Sequence, residues 1–229
     1  MSRLITLSGL DGSGKSTQIE LLKNYLKSQD KTFFYFHAVD FSIGNIWRSN
    51  LHKEDSISKS SVTKANWLQI QLRKIALFID IIRFQILATK LKVDYIISDR
   101  YFYDSVVNIL YLSHQKKSPL VPLCERGKSD SLPFAKGPAC FDMQSISGRE
   151  LERDLCFEKY IPKPDFAFYI DVNPESIMKR ERKPDQGMEY LVAKEKLFSD
   201  KIEKWNIIAV DGERSKEKIF KDIKSRILI

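Results

Sequence analysis

Short apolar runs recur along the chain, and helical patterns lie between them. The runs occupy residues 3–8, 32–37, 93–98, 165–171 and 206–210. Residues 18–26 follow the first run and place Ile19, Leu22 and Leu26 on one face of an amphipathic helix. Apolar runs that alternate with helices predict an α/β fold of three layers, in which a central five-stranded parallel sheet has helices on both faces.

Two longer segments depart from this rhythm. Residues from about 61 to 91 have a helical pattern, and between Ile75 and Leu87 this helix is apolar nearly all the way round, which predicts burial. Residues 113–147 contain four prolines and no sustained periodicity, so they form either a functional cover or a mobile insertion. We expect a single domain over residues 1–229 that carries this insertion.

The turn after the first predicted strand has the spacing G-x-x-x-x-G-K-[ST]. Its glycines allow successive backbone N–H groups to converge on phosphate oxygens, and the N-terminus of the helix that follows favours an anion. A chance match in a glycine-rich turn is the weaker alternative, because a predicted strand and a predicted helix flank the loop in register. The pattern therefore predicts a phosphate-binding loop whose nucleotide-binding residues are Gly9, Leu10, Asp11, Gly12, Ser13, Gly14, Lys15, Ser16 and Thr17.

Two further charged motifs are typical of phosphate chemistry. Asp99 and Arg100 end the third predicted strand, where an aspartate can bind magnesium and an arginine can hold a phosphate bidentately. A structural ion pair at the strand end is the alternative. The segment 179–183 has the sequence KRERK and lies before a turn. It is either an exposed charged face or a lid that brings arginines to a transferring phosphoryl group.

Composition narrows the choice of partners. The net charge is +8, but no basic run is interleaved with aromatic residues, so nucleic-acid binding is not expected and a small anionic substrate is. No apolar stretch has the length of a membrane span, and we expect neither a signal peptide nor contact with a membrane. Three cysteines without a C-x-x-C pair favour a reducing, cytoplasmic location.

The same cysteines raise the question of a zinc site. His114, Cys124, Cys140 and Cys156 have suitable side chains, but they lack the close pairs usual in structural zinc sites. We therefore expect free cysteines at these positions.

Five stretches, taken in order, resemble the thymidylate kinase family. They are GLDGSGKSTQ at the loop, DRY at 99–101, PDFAFYIDVNPE at 164–175, the arginine-rich segment and the ending IIAVDGERSKEKI. The resemblance covers nearly the whole chain except 113–147. It implies the P-loop kinase fold with a short arginine-bearing lid. It also implies magnesium-dependent phosphoryl transfer from ATP to a nucleoside monophosphate, with dTMP as the expected acceptor. The alternatives are a nucleoside or other nucleotide kinase, and a nucleotide-binding regulatory protein without kinase activity.

The resemblance also implies roles for the residues that hold the donor nucleotide. Lys15 would bridge the β-phosphate and the transferred γ-phosphate, while Ser16 and Asp99 would bind or support magnesium. Because Gly12, before Ser13, is not basic, the family pattern assigns the catalytic arginine to a lid at about residues 179–189, with Arg180 and Arg182 as candidates. Asp211 and Gly212, after the last strand, would lie near adenine.

The implied acceptor site departs from the family pattern. Asp11 would reach the sugar 3′-hydroxyl and Arg100 would clamp the acceptor phosphate, but Asp104 stands where a hydroxyl residue is expected. Asn108 falls where a tyrosine helps to exclude the ribose 2′-hydroxyl. The remaining substrate-binding candidates are Phe78, which either stacks on the base or packs in the core, together with Arg83, Tyr101 and Ser105.

The acceptor and the assembly stay open at this point. A nucleoside acceptor would need a carboxylate base, for which Asp40 or Asp104 would have to serve. Each missing hydrogen bond to a substrate can change discrimination roughly tenfold or more. The family resemblance further implies a homodimer formed through the long helices beside the sheet.

Overall fold

The structure, a computed structural model, describes residues 2–43, 67–117, 156–180 and 184–227. Five parallel strands form its sheet in the order β2-β3-β1-β4-β5. Each predicted apolar run is a strand, with ends shifted by one or two residues, so the predicted parallel sheet is confirmed. The strands are β1 (Arg3–Gly9), β2 (Phe33–His37), β3 (Tyr95–Asp99), β4 (Phe166–Asp171) and β5 (Ile208–Asp211).

Helices cover both faces of this sheet, as the sequence predicted. Seven α-helices and one 3-10 helix, Cys156–Tyr160, lie within the described ranges. The α-helices are α1 (Lys15–Ser28), α2 (Ala38–Phe41), α3 (Trp67–Lys90), α4 (Phe102–Lys117), α5 (Pro174–Met178), α6 (Gly187–Ser199) and α7 (Lys216–Ile227).

Two hydrophobic cores result, one on each face of the sheet. On one face, Ile19 and Leu22 of α1 and Ile223 of α7 pack against the side of β1 that carries Ile5. On the other, helices α3, α4 and α6 pack over the opposite face of the same strands, for example over Leu4. Successive side chains of a strand point to opposite faces, so one central apolar strand serves both cores. The chain therefore forms the expected three layers.

The strand register brings the candidate motifs to one edge of the sheet. Leu7 of β1 pairs with Asp99 of β3, and Gly9 pairs with Ile170 of β4. Asp171 pairs with Asp211 at the end of β5. The carboxyl ends of the strands thus meet beside the loop, which is where open parallel sheets bind ligands.

The prediction that helix α3 is buried all round over residues 75–87 is wrong, because only one of its faces is covered. Its inner face is buried at Leu77, Ile81 and Phe84, but the opposite face is exposed. The sequence is apolar on both sides, and periodicity alone does not tell which side a neighbour covers. The exposed residues, here called the α3 stripe, are Leu68 61%, Leu72 52%, Ile75 57%, Ile79 40%, Ile82 41% and Ile86 51% exposed.

Two other predictions, the insertion at 113–147 and the lack of a membrane span, can be compared only with the described ranges. Most of the predicted insertion, from residue 118 onward, lies outside them. Within the described ranges, no helix combines the length and the apolar character that crossing a membrane requires.

Candidate active site

The loop between β1 and α1 requires glycine at two positions. A Cβ on Gly9, whose φ is 152°, would lie 2.8 Å from Ser13 Oγ and 2.9 Å from the Ile170 carbonyl oxygen. Gly14 precedes α1 in the left-handed conformation, with φ 98°, where other residues are strained. The loop therefore turns tightly and presents backbone N–H groups at the start of α1, which suits an anion.

Lys15 lies inside this loop. It is 6% exposed, and its Nζ donates to the carbonyl oxygens of Gly9 at 3.0 Å and Leu10 at 2.6 Å. Burial, assisted by the neighbouring Arg100, lowers the pKa of the Lys15 ammonium to about 8. Its partners are carbonyl groups that phosphate oxygens can replace.

Arg100 joins the end of β3 to the loop. Its backbone has a φ of 55° and donates to the Leu7 carbonyl oxygen at 3.0 Å, and its Nη2 donates to Asp11 Oδ1. Burial would lower the pKa of Arg100, but Asp11 and Asp104 outweigh it and raise the pKa. The ion pair thus keeps a charged guanidinium at the loop.

Asp11 carries the charge opposite to Arg100. Burial alone would raise the pKa of its carboxyl, but three cations outweigh that effect and lower the pKa. These cations are, in order of their effect, Arg100, Lys194 and Lys15. The alternative predicted for the strand end, a structural ion pair, is present, and its acidic partner belongs to the phosphate-binding loop itself.

The two candidate metal ligands offer oxygen atoms. Asp99 is 7% exposed and its Oδ2 accepts a hydrogen bond from Tyr35 Oη at 3.3 Å, whereas Ser16 is exposed. Carboxylate and hydroxyl oxygens suit magnesium, which usually takes one or two protein carboxylates and completes its shell with water and substrate phosphates. The described ranges contain no cluster of three or more His, Cys, Asp or Glu side chains that could hold a metal without such help.

The described ranges include only part of the set of residues considered for a zinc site, at which free cysteines are expected. Cys124 and Cys140 lie outside the described residues, as does the side chain of Cys156. His114 of α4 is buried. The expectation of free cysteines thus stays a prediction.

The start of the predicted lid touches the loop. Asn173 caps α5, since its Oδ1 accepts from the Glu175 N–H at 2.8 Å, and Arg180 follows this short helix. The Nη1 of Arg180 donates to the Gly12 carbonyl oxygen. Arg182, the second lid candidate, lies outside the described residues.

Asp211 and Gly212 lie at the same edge of the sheet. The Gly212 N–H donates to the Asp171 carbonyl oxygen at 2.7 Å, and a Cβ on Gly212 would lie 2.4 Å from Val172 Cγ2. The Asp211 carboxylate forms an ion pair with Arg214 at 3.2 Å. Close packing therefore requires Gly212 independently of any nucleotide.

Three acceptor-site candidates lie in the first turns of α4. Asp104 is 2% exposed, and its Oδ2 accepts from Ser8 Oγ at 2.6 Å and from the Tyr101 N–H at 3.0 Å. Ser105 and Asn108 are half-buried. Asp104 thus caps the start of α4 and ties this helix to β1.

Besides Asp11 and Arg100, which lie at the loop, three further acceptor-site candidates have partners in the scaffold. Tyr101 is fully buried and its Oη donates to the Pro162 carbonyl oxygen at 2.7 Å. Phe78 is 37% exposed and packs edge-on against Tyr160, with ring centroids 5.6 Å apart. The prediction that Phe78 packs in the core is therefore wrong, and its stacking on a base stays a prediction.

Arg83 is the last of these candidates. Its Nη1 donates to Asp80 Oδ1 and to the Phe41 carbonyl oxygen, both at 2.9 Å. Its guanidinium lies 4.3 Å from the Phe41 ring centroid. The contacts of Arg83, like those of Phe78 and Tyr101, are with the scaffold, whereas Arg100 and Arg180 contact the loop.

Lys194 belongs to the site but was not predicted from the sequence. This lysine of α6 has no exposed surface, and it acts electrostatically on Asp11, Arg100 and Lys15. A signal was present, since Lys194 interrupts the apolar face that Leu191 and Leu197 form on the same helix. A lysine at the centre of an apolar helix face is rarely buried without a partner.

Comparisons with known proteins agree with this geometry. A family model described as thymidylate kinase matches residues 7–117, a range that contains the loop and the Asp99–Arg100 motif. A thymidylate kinase of Thermosipho africanus (strain TCF52B) is 25% identical over 231 residues, which cover 96% of this chain and 95% of that protein.

Two solved structures show the same fold. A thymidylate kinase from Candida albicans superposes with a TM-score of 0.64 at 18% identity, covering 99% of this chain and 91% of the other. A thymidylate kinase from Ehrlichia chaffeensis gives a TM-score of 0.53 at 17% identity, covering 99% and 98% of the two chains. The predicted P-loop kinase fold is thereby confirmed. The family-model match over residues 7–117 and the curated relative show what this chain is similar to, namely thymidylate kinases.

Proposed function

We propose that this protein transfers the γ-phosphoryl group of ATP to a nucleoside monophosphate, and that it converts dTMP to dTDP. One observation carries the proposal: three cations from different parts of the chain contact a single phosphate-binding loop. They are Lys15 on the Gly9 and Leu10 carbonyl groups, Arg100 on Asp11 and Arg180 on the Gly12 carbonyl group. The acceptor dTMP comes from the name of the relatives.

Phosphoryl transfer between two phosphates needs charge neutralisation rather than a general base. The second pKa of a phosphate monoester is about 6, so the acceptor is largely a dianion at neutral pH. The enzyme must bring two anions into line and stabilise the charge that spreads over the transferred group. Lysine and arginine side chains at one loop can do both.

Each cation has a distinct part in the proposed reaction. Lys15 exchanges its carbonyl partners for the β- and γ-phosphates, and Arg100 exchanges Asp11 for the acceptor phosphate. Arg180 moves from the Gly12 carbonyl group to the transferred phosphoryl group. One arginine in such a role can contribute on the order of a thousand-fold in rate, or about 4 kcal/mol of the barrier.

Magnesium belongs to the proposal because of its ligand chemistry. Ser16 and Asp99 are the residues that would hold it, by direct contact or through water. A magnesium ion supplies positive charge that neutralises the phosphates during transfer. The Tyr35 hydroxyl, which donates to Asp99, orients the carboxylate.

The structure disfavours the rival in which a nucleoside accepts the phosphoryl group. Such an acceptor would need a free carboxylate base, but Asp104 Oδ2 is engaged by Ser8 and by the Tyr101 N–H. The Asp40 side chain is 81% exposed and lies 3.2 Å from His37 Nδ1. Asp104 is thus buried and bonded to the scaffold, and Asp40 lies exposed beside His37.

The proposed assembly is a homodimer. The α3 stripe repeats apolar residues at alternating intervals of four and three, which is the spacing of a helix–helix seam. A second copy of the same helix would cover it. The reducing, cytoplasmic location rests on cysteine usage alone and is proposed on that ground.

Product identification tests the proposal directly. Wild-type protein is incubated with ATP, magnesium and either dTMP or thymidine, and the nucleotides are separated by chromatography. We expect equimolar ADP and dTDP from dTMP and no dTMP from thymidine. ATP binding without transfer to either acceptor would instead support the regulatory alternative.

A further inference from the structure

Helix α6 buries a positive charge without a hydrogen bond. Lys194 is fully buried between Leu191 and Leu197, and its Nζ has no hydrogen-bond partner within the described ranges. Its Nζ lies 5.1 Å from the centroid of the Tyr190 ring on the same helix. Burying an ammonium group in this way costs several kcal/mol, so packing alone does not account for a lysine here.

The surroundings of Lys194 are polar and also incompletely bonded. Helix α6 packs on α4, which carries Asp104, and Asp104 Oδ1 is buried without a hydrogen-bond partner. The hydroxyl of Tyr169, on β4 beside Ser8, is likewise buried and without such a partner in the described part of the chain. The lysine thus lies in a buried polar cluster under the loop.

Electrostatics connects Lys194 to the reacting groups. Burial lowers the pKa of its ammonium, while Asp11 and Asp104 act in the opposite direction and Arg100 lowers it further. Among the cations that stabilise the Asp11 carboxylate, Lys194 ranks second, after Arg100 and before Lys15. In a dry interior such interactions act over several ångströms without direct contact.

The proposed function commits two of these three cations to phosphates. Arg100 must leave Asp11 to hold the acceptor phosphate, and Lys15 is drawn to ATP. Asp11 would then be a partly buried carboxylate without its direct ion pair, which opposes acceptor binding. Lys194 is buried in the core on α6 and has no phosphate to bind in the proposed reaction, so its charge remains available to Asp11.

We propose that Lys194 is a positioning residue that serves as the counter-ion of Asp11 while Arg100 holds the acceptor phosphate. The inference rests on the proposed function. It explains why a lysine without a hydrogen bond is kept on the apolar face of α6. It also predicts that Lys194 affects the acceptor and not the donor.

Lys194→Met tests this role, since methionine is also long and unbranched but carries no charge. Replacing an unpaired buried charge by an apolar side chain should leave the melting temperature unchanged or raise it. Calorimetry should show that dTMP binding weakens about tenfold or more while ATP binding changes less than about twofold. Lys196→Met, at an exposed position of the same helix, should change neither affinity.

A double-mutant cycle separates the proposed role from a merely structural one. With Asp11→Asn there is no carboxylate to balance, so adding Lys194→Met should change dTMP affinity less than about twofold. Equal losses in both backgrounds, or no loss in the wild-type background, would overturn the inference. If Lys194→Met fails to fold, Lys194→Gln takes its place in the cycle. If the wild-type protein binds no dTMP, the proposed function falls and this inference falls with it.

Discussion

The guanidinium of Arg100 donates to the Asp11 carboxylate and so joins the end of β3 to the loop after β1. Both partners belong to the candidate site, one through the DRY motif and one through the phosphate-binding loop. In the proposed reaction, the acceptor phosphate would compete with Asp11 for this arginine. The ion pair therefore sets the orientation of Arg100 before the acceptor arrives.

Arg100→Ala should abolish acceptor phosphorylation without unfolding the protein. The loss of a bidentate, charge-assisted contact with the acceptor phosphate should lower kcat/KM about a thousand-fold or more. Arg100→Lys keeps the charge but not the planar guanidinium group, so its kcat/KM should lie between those of the wild type and Arg100→Ala. Steady-state kinetics measures the loss, and circular dichroism checks the fold. Near-wild-type turnover by Arg100→Ala would remove Arg100 from the mechanism.

Lys15→Ala should eliminate turnover and weaken ATP binding. Lys15 Nζ lies on the carbonyl groups of the loop, where the β- and γ-phosphates would replace them. The matched control is Lys27→Ala, at an exposed position of the same helix, which should retain activity. Calorimetric titration with ATP distinguishes the two variants. Unchanged ATP affinity in Lys15→Ala would contradict the placement of the phosphates.

Arg180→Ala should lower kcat on the order of a thousand-fold and leave the KM for ATP nearly unchanged, because its contact with the phosphoryl group forms in the transition state. Lys179→Ala, the adjacent exposed lysine, serves as the control. Both variants are measured over a range of ATP concentrations with saturating dTMP. A small effect of Arg180→Ala together with a large effect of Arg182→Ala would assign the catalytic arginine to Arg182 instead.

Asp171→Asn should stabilise the protein at neutral pH. Burial, followed by the charges of Asp211 and Glu213, raises the pKa of the Asp171 carboxyl above its ordinary value of 3.8. The folded state thus binds this proton more readily than the unfolded state, so the ionised carboxylate destabilises the fold at pH 7. Protonation relieves this destabilisation as the pH falls toward 4.

Thermal unfolding between pH 4 and pH 8 checks this sign. The melting temperature of Asp171→Asn should exceed that of the wild type at pH 7.5, and the difference should shrink on acidification. Asp200→Asn, at the exposed end of α6, makes the same change in net charge and should show no such trend. A difference in melting temperature that grows toward acid pH would contradict the raised pKa assigned to Asp171.

Glutamates in the α3 stripe should dissociate the proposed dimer. Leu72→Glu with Ile79→Glu puts two charges into the seam, and both side chains are exposed in one chain, so the fold should persist. Sedimentation should give about twice the chain mass of 26.7 kDa for the wild type and the single mass for the variant. Gln69→Glu, at an exposed position of the same helix outside the α3 stripe, is the control. A monomeric wild type would refute the dimer.

Local patterns were sufficient to predict the sheet and the loop. The five strands are short apolar runs bounded by turns, and the loop motif specifies tight glycine positions such as Gly9 and Gly14. Such signals depend on neighbours in sequence. The inward face of α1, with Ile19, Leu22 and Leu26 buried, followed from helical periodicity in the same way.

Features set by distant neighbours could not be predicted. Helix α3 is apolar on both sides, and only the packing of α4 shows which side is covered. The capping contacts of Asp104 depend on Ser8, 96 residues away. Lys194 could have been noticed as a lysine on an apolar helix face, but its nearness to Asp11 is a property of the fold.

The central claim is that the cations on this loop serve phosphoryl transfer to dTMP. The most direct measurement is ADP release by the wild-type protein with ATP and magnesium, in parallel with dTMP, dUMP, UMP, dCMP, CMP, dGMP, AMP, thymidine and water. We expect the highest kcat/KM with dTMP, and only background release with thymidine or water. Background release with every acceptor, from protein that still binds ATP, would contradict it.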